Sequence, residues 1–225
     1  MLCYKLTNKY LQTYGGFQWV LGESARRLSG KGKLCGPGWY HVYDHPLLAV
    51  LLNTVHANIE CPRLFEASYN GEWPSLDDKG MKRGVVTLRL DKEIEVPRMS
   101  KASRVRFAIY VARGGCGNKA WNKWTVGWLE GEDRLTDTAT SASHLPVDRT
   151  ANAAARAAAN MHWVDTYSNA TIRAVADALV FAAEARGSSG GSSERWTALA
   201  KLAIADEAKQ GQQRADALLD EMRAP

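Results

Sequence analysis

The spacing of apolar residues changes at Pro97, and that change limits what the chain can fold into. Before it, hydrophobic side chains recur every second residue in short runs broken by glycine, proline and asparagine, the pattern of strands joined by turns. After it, they recur every third or fourth residue and alanine dominates, the pattern of helices. Strands first and helices afterwards predict an α+β fold. The expected organisation is a β-rich N-terminal domain over 1–98 and a helical C-terminal region over 99–146 packed on it. An alanine-rich helical tail follows over 147–225, a hairpin with a Gly/Ser linker at 187–193.

Within the first part, Leu2–Thr7, Phe17–Leu21, Trp39–Tyr43 and Arg63–Tyr69 read as strands, and Gly84–Pro97 as the longest, with Val86, Leu88 and Leu90 on one face. Asp44 is placed to cap a short buried helix over Leu47–Asn53, with Pro46 in its first turn. Ser100–Ala112 carries both periods. Val105, Phe107, Ile109 and Val111 alternate, while Ala102, Val105, Ile109 and Ala112 follow a helix, and Ser100 before it with Gly114-Gly115 after it favours the helix. Trp121, Trp124 and Trp128 share a helical face, a packing stripe expected against the β-rich body.

Ala151–Arg186 reads as one helix with a ridge through Val164, Tyr167, Thr171, Val175, Ala178 and Ala182. Glu194–Arg223 reads as a last helix, apolar at Trp196, Leu199, Leu202 and Ala203 and again at Leu218, Leu219 and Met222. Narrow alanine faces let helices approach closely, within the chain or between copies, so the tail is the expected route to a homo-oligomer.

With 45% hydrophobic and 24% charged residues among 225, the chain is ordinary for a globular protein and excludes wholesale disorder. No apolar run approaches the ~20 residues that span a bilayer, and the start lacks a secretory signal, so a cytoplasmic setting without membrane association is expected. Residues 1–130 hold 19 Lys+Arg against 11 Asp+Glu, and 131–225 hold 10 against 13. A basic body suits an anionic partner, whether nucleotide, nucleic acid or acidic protein surface, and is equally the mark of a solvated lysine-rich surface. Trp39, Tyr69 and Trp73 are the candidate partner-binding anchors, because tryptophan and tyrosine dominate interface energetics.

Cys3, Cys35, Cys61 and Cys116 form no C-x-x-C pair, and a zinc set drawn from Cys35, His41, His45, His56 and Cys61 lacks the tight ligand spacing of zinc sites, so no metal is expected. No Walker loop, dinucleotide fingerprint, nucleophile elbow or zincin motif is present, and Gly114–Gly117 reads as a helix stop. A Cys116 nucleophile with His144 or His162 has no local signature behind it.

The segments Tyr4–Thr7, Leu34–Asp44, Ala49–Asn53, His56–Asn58, Arg63–Glu66, Lys92–Pro97 and Arg104–Ile109 resemble an uncharacterised family common in bacteriophages and prophages, over roughly residues 1–135. Its members join an N-terminal domain of unknown function to an alanine-rich helical tail. The resemblance implies a phage accessory protein in the bacterial host cytoplasm. Such a protein would bind and modulate a host protein or nucleoprotein with an acidic surface, including a component of a defence system.

The order of elements is also similar to that of small ADP-ribosyltransferases: an opening strand ending in Thr7, a glycine-introduced aromatic strand, a short Ala/Leu helix, an R-L-F-E strand and a late acidic strand. That likeness implies NAD as a cofactor of a transferase, with Tyr4, Lys5 or Thr7 gripping the ribose. Tyr40 or Tyr43 would stack on the nicotinamide, and Glu66, Glu93 or Glu95 would be the catalytic acid facing the oxocarbenium-like charge. The first strand lacks the histidine or arginine usual at its leading position, and Lys5 does not replace a planar fork. Nucleic-acid binding through the basic front half is the third reading.

Overall fold

A computed structural model of the protein describes residues 1–161, 168–186 and 192–223, with side chains placed at 170–185 and 192–217 of the last two stretches. The expectations for His162, Val164, Tyr167 and 187–191, and for the side chains of Leu218, Leu219 and Met222, lie outside the described residues. Strands fill the N-terminal part and helices the C-terminal part, so the fold is α+β. Two compact units are present: Met1–Arg98 with Leu179–Thr197, and Met99–Ala178 with Ala198–Pro225.

The first unit runs β1 (Leu2–Thr7), β2 (Gln12–Thr13), β3 (Phe17–Gln18), β4 (Tyr40–Val42), α1 (Pro46–His56), β5 (Arg63–Ser68), β6 (Ser75–Asp78), β7 (Lys82–Val85) and β8 (Arg89–Ile94). Two antiparallel sheets, β1-β5-β8 and β4-β7-β6, are stitched together where Tyr4 and Tyr43 exchange backbone hydrogen bonds of 2.8 and 2.9 Å. Alternation on β1 sends Cys3, Lys5 and Thr7 to one face and Tyr4 and Leu6 to the other. The first face meets a core of Trp19, Tyr40, Val42, Phe65, Ala67, Val85, Leu88 and Leu90. On the second, Leu6 lies opposite Leu64, and α1 packs there with Leu48, Leu51 and Leu52 buried.

Three local expectations are corrected here. The helix cap is His45, whose Nδ1 accepts the Leu47 N–H at 3.2 Å, with Pro46 at the first helical position. Asp44 instead takes the Arg83 guanidinium in a fork at 3.0 and 3.1 Å. The Phe17–Leu21 strand shrinks to β3: Leu11, left-handed at φ 61°, turns its N–H back to Asn8 and leaves Trp19 one cross-strand bond, to the Leu11 carbonyl at 2.9 Å, while the Trp19 ring fills the core and donates its indole N–H to Thr13 at 3.0 Å. Gly84–Pro97 is not one strand. The carbonyls of Val86, Leu88 and Leu90 accept the N–H groups of Leu28, Ala25 and Gly22, each at 2.8 Å, so an irregular segment over 22–28 takes the place of a ladder and β7 and β8 go to different sheets.

The β6–β7 connection has three residues, 79–81: Lys79 (φ 52°) and Gly80 (φ 72°) are both left-handed, the geometry that suits the twist of a tight hairpin, and the Met81 N–H closes on the Asp78 carbonyl at 2.8 Å. Trp196, near the start of α7 (Ser193–Arg223), is fully buried and donates its indole N–H to the Lys79 carbonyl at 3.0 Å.

The second unit contains α2 (Lys101–Arg113), α3 (Lys119–Glu130), α4 (Thr136–Ser143), α5 (Arg149–Ala159), the first part of α6 (Ser168–Arg186) and α7 from Ala198. Ser100 caps α2 through a 2.9 Å bond from the Ser103 N–H. We expect Ser100→Ala to lower stability by about 1 kcal/mol in urea titration, the usual loss for a removed cap. Helix α2 buries Ser103, Val105–Ile109, Val111 and Ala112, more than one face, which is why its sequence satisfies two periods at once.

The tryptophan stripe packs among helices of its own unit: Trp121 donates to the Ala151 carbonyl at 3.2 Å, and Trp128 lies under the guanidiniums of Arg106 and Arg134. The single helix expected over Ala151–Arg186 is interrupted, since α5 ends at Ala159. Its alanines at 151, 153–155, 157 and 158 are buried against α2 and α4, so the narrow faces are filled from within the unit. Among the described residues no helix is long and apolar enough to cross a membrane.

Candidate binding groove

Where the 22–28 segment runs beside Val86–Leu90, the first unit carries a half-open groove of about 380 Å³. Ser24, Ala25 and Arg27 form one wall. Ser68, Tyr69, Asn70 and Trp73, from the end of β5 and the loop after it, form the other, and Thr87, Leu88 and Arg89 complete the lining. Ala25, Tyr69 and Leu88 belong to the core or pack on it, so the floor is anchored.

The loop is tied near its start. The N-terminal ammonium donates to the Tyr69 carbonyl at 2.7 Å, and Asn70 accepts the Glu72 N–H at 2.9 Å. The guanidinium of Arg27 lies 3.9 Å from the centre of the Trp73 ring. At that distance the cation rests on the negative face of the indole. Arg27 has no ion pair among the described residues, while Arg89 is half-exposed and holds Asp91 at 2.6 Å. No carboxylate lines the groove.

Two of the three expected anchors, Tyr69 and Trp73, therefore meet in one site. Trp39 does not: it is buried, its indole N–H reaching the Gly32 carbonyl at 3.3 Å, so it offers nothing to a partner. Within the basic stretch over 1–130, residues 1–98 hold 13 Lys+Arg against 10 Asp+Glu, so most of the surplus falls in 99–130.

The residues assigned as alternatives to a nicotinamide cleft divide between two faces. Lys5, Thr7 and Tyr40 turn into the core, whereas Tyr4, Tyr43 and Glu66 share the opposite face, where Tyr43 stacks on His56 at 6.1 Å. Alternation along β1 therefore puts Tyr4 on one face and Lys5 and Thr7, its alternatives for the ribose, on the other. Thr7 donates to the Asn8 carbonyl at 3.0 Å, and the Tyr40 hydroxyl to that of Arg26 at 2.9 Å. Of the acids, Glu66 pairs in register with Tyr4, Glu93 is forked by Arg63, and Glu95 lies beyond β8 on Arg98 at 3.7 Å.

Lys5 is the unusual member of this set. Its ammonium donates to the His41 carbonyl at 2.7 Å and lies 5.6 Å from the Trp19 ring, with no ion-pair partner among the described residues, and burial pulls its pKa down to about 8. Burial likewise pushes His56 down to about 3, helped by the nearby Lys82 charge, and raises the Cys3 thiol to about 12. His41 meets the Leu34 carbonyl and His45 caps α1, so each has work other than metal ligation. Among the described residues no group of three metal-ligating side chains is gathered.

Sequence reading missed Arg27, Arg89, Ser24 and Thr87. The Arg26-Arg27 pair was visible, but nothing local says that Arg27 meets a tryptophan 46 positions later. No family model matches the chain, and neither a curated protein nor a solved structure does.

Proposed function

We propose that this is a non-enzymatic binding protein of the phage accessory kind, which docks on an acidic host macromolecule through the Arg27–Trp73 groove and thereby modulates it. The observation that carries the reading is the guanidinium stacked on an indole beside Tyr69 and Arg89, in a groove with no acid in its lining. Aromatic and arginine side chains in a concave, anchored patch are the composition of binding hot spots. A carboxylate or phosphate entering there finds the Arg27 guanidinium without an ion pair among the described residues and Arg89 shared with Asp91. A blocked defence component of the bacterial host is the kind of target the phage resemblance supports.

The test is capture from bacterial lysate on immobilised protein. We expect Trp73→Ala and Arg27→Glu each to reduce the retained macromolecule at least tenfold at low salt, the range of hot-spot truncations. Capture that is equal for wild type and both variants would sink the groove as the docking site. Transfer chemistry is the weaker reading: the one full set of its expected residues that shares a face, Tyr4, Tyr43 and Glu66, lies on the side where α1 packs, with Tyr43 buried.

A further inference from the structure

We infer that the ligand of this groove is single-stranded nucleic acid, with one nucleotide seated against the outer side of the Arg27 guanidinium that covers Trp73, within the space lined by Tyr69 and Arg89. The inference rests on the binding role proposed above and names the chemistry of the partner.

The groove offers what a nucleotide has to satisfy. Its planar base needs an aromatic or guanidinium face, and Trp73, Tyr69 and Arg27 line the same space. Its phosphate needs forked N–H donors. A guanidinium held 3.9 Å from the centre of an indole is already placed, so it surrenders less freedom on binding, and no ion pair holds it among the described residues. Ser24, Ser68, Thr87 and Asn70 add hydroxyls and an amide able to meet sugar and base-edge atoms, which an acidic protein side chain lacks. At about 380 Å³ the site lies within the range of small-ligand pockets, yet it is half-open. A groove open to solvent admits one unit of a longer strand. Stacking platforms combined with a cationic wall are the recurrent means of holding single strands without reading sequence.

The test is fluorescence anisotropy with end-labelled oligothymidine and oligoadenosine strands, and with labelled polyglutamate as an acidic-peptide probe. Wild type is expected to bind both oligonucleotides saturably at low salt, with little preference between them and with affinity falling as salt rises. Trp73→Ala should weaken binding by about 5- to 150-fold, the loss of one base stacked on the guanidinium that Trp73 holds, while Trp73→Phe should recover most of it. Arg27→Ala and Arg89→Ala should each reduce the salt dependence by about one phosphate contact. Circular dichroism establishes that each variant is folded, and Arg27 is exposed, so its replacement tests the site even if Trp73→Ala disturbs the loop.

Oligonucleotide binding that ignores both Trp73→Ala and Arg27→Ala would overturn the inference. Trp73-dependent binding of polyglutamate without oligonucleotide binding would also overturn it, while leaving the docking role standing. Absence of binding to any probe, together with capture from lysate that does not depend on Trp73, would remove both.

Discussion

Replacing Trp196 by alanine is expected to lower the stability of the strand-bearing unit by about 3–5 kcal/mol, the range for a buried large aromatic. The side chain is fully enclosed, and its indole N–H is the hydrogen-bond partner of the Lys79 carbonyl at a turn where two successive residues are left-handed. Removing it opens a cavity and strips that carbonyl of its donor, so Trp196→Phe should lose less, keeping most of the volume and forfeiting only the hydrogen bond. Gly80→Val probes the same junction from the other side. A Cβ at Gly80 would run into the backbone of Ser192 and Ser193, and the φ of 72° disfavours any β-branched residue. Urea denaturation followed by circular dichroism measures all three. A Trp196→Ala midpoint within error of wild type would show that this contact holds nothing together.

The second large effect is in pH. His56 has its pKa pushed down from 6.5 to about 3, so the unfolded chain binds a proton that the folded chain refuses between those values. The His56 contribution to stability is therefore full above pH 6.5 and is lost as pH drops towards 3, by roughly 4 kcal/mol at the lower end. Lys5 acts in the alkaline range. Its pKa is about 8 folded against 10.5 unfolded, so stability rises as pH climbs from 8. Cys3 opposes it above pH 9, because the unfolded thiol ionises there and the buried one does not until about 12, which confines the visible rise to about one pH unit.

The profile thus climbs in two steps separated by a plateau near neutrality. His56→Phe, which keeps a ring against Tyr43, should flatten the acid step, and Lys5→Met the alkaline one, with Lys5→Met no less stable than wild type at pH 7. Chemical denaturation at each pH unit from 4 to 9 provides the measurement. An acid step of unchanged size in His56→Phe would show that His56 does not supply it.

What the sequence made legible follows from whether the deciding interactions are local. The change of fold class near Pro97, the cap at Ser100 and the helix end at Gly114 rest on neighbours a few residues apart, and they read correctly. The extent of β3 and the break in Gly84–Pro97 rest on contacts with partners outside each segment, namely Leu11 turning back to Asn8 opposite Trp19 and the 22–28 segment taking three carbonyls. No periodicity announces those. Asp44 was a sound cap by residue type, but Arg83 made it a better offer through a forked ion pair while His45 did the capping. The groove shows the same division. Tyr69 and Trp73 could be picked as ring-bearing loop residues, whereas Arg27 and Arg89 became relevant only once the chain had brought 24–27 beside 87–89.

That the unit of Met1–Arg98 also contains Leu179–Thr197 has a consequence for how the protein is made. Because translation runs from the N-terminus, the ribosome releases every strand well before the stretch that seals the Lys79–Gly80 turn. The first unit waits, incomplete, while some eighty further residues are synthesised. A chain interrupted anywhere before Trp196 leaves that turn unsealed, and a fragment ending at Arg98 is a precursor of the unit, not the unit itself.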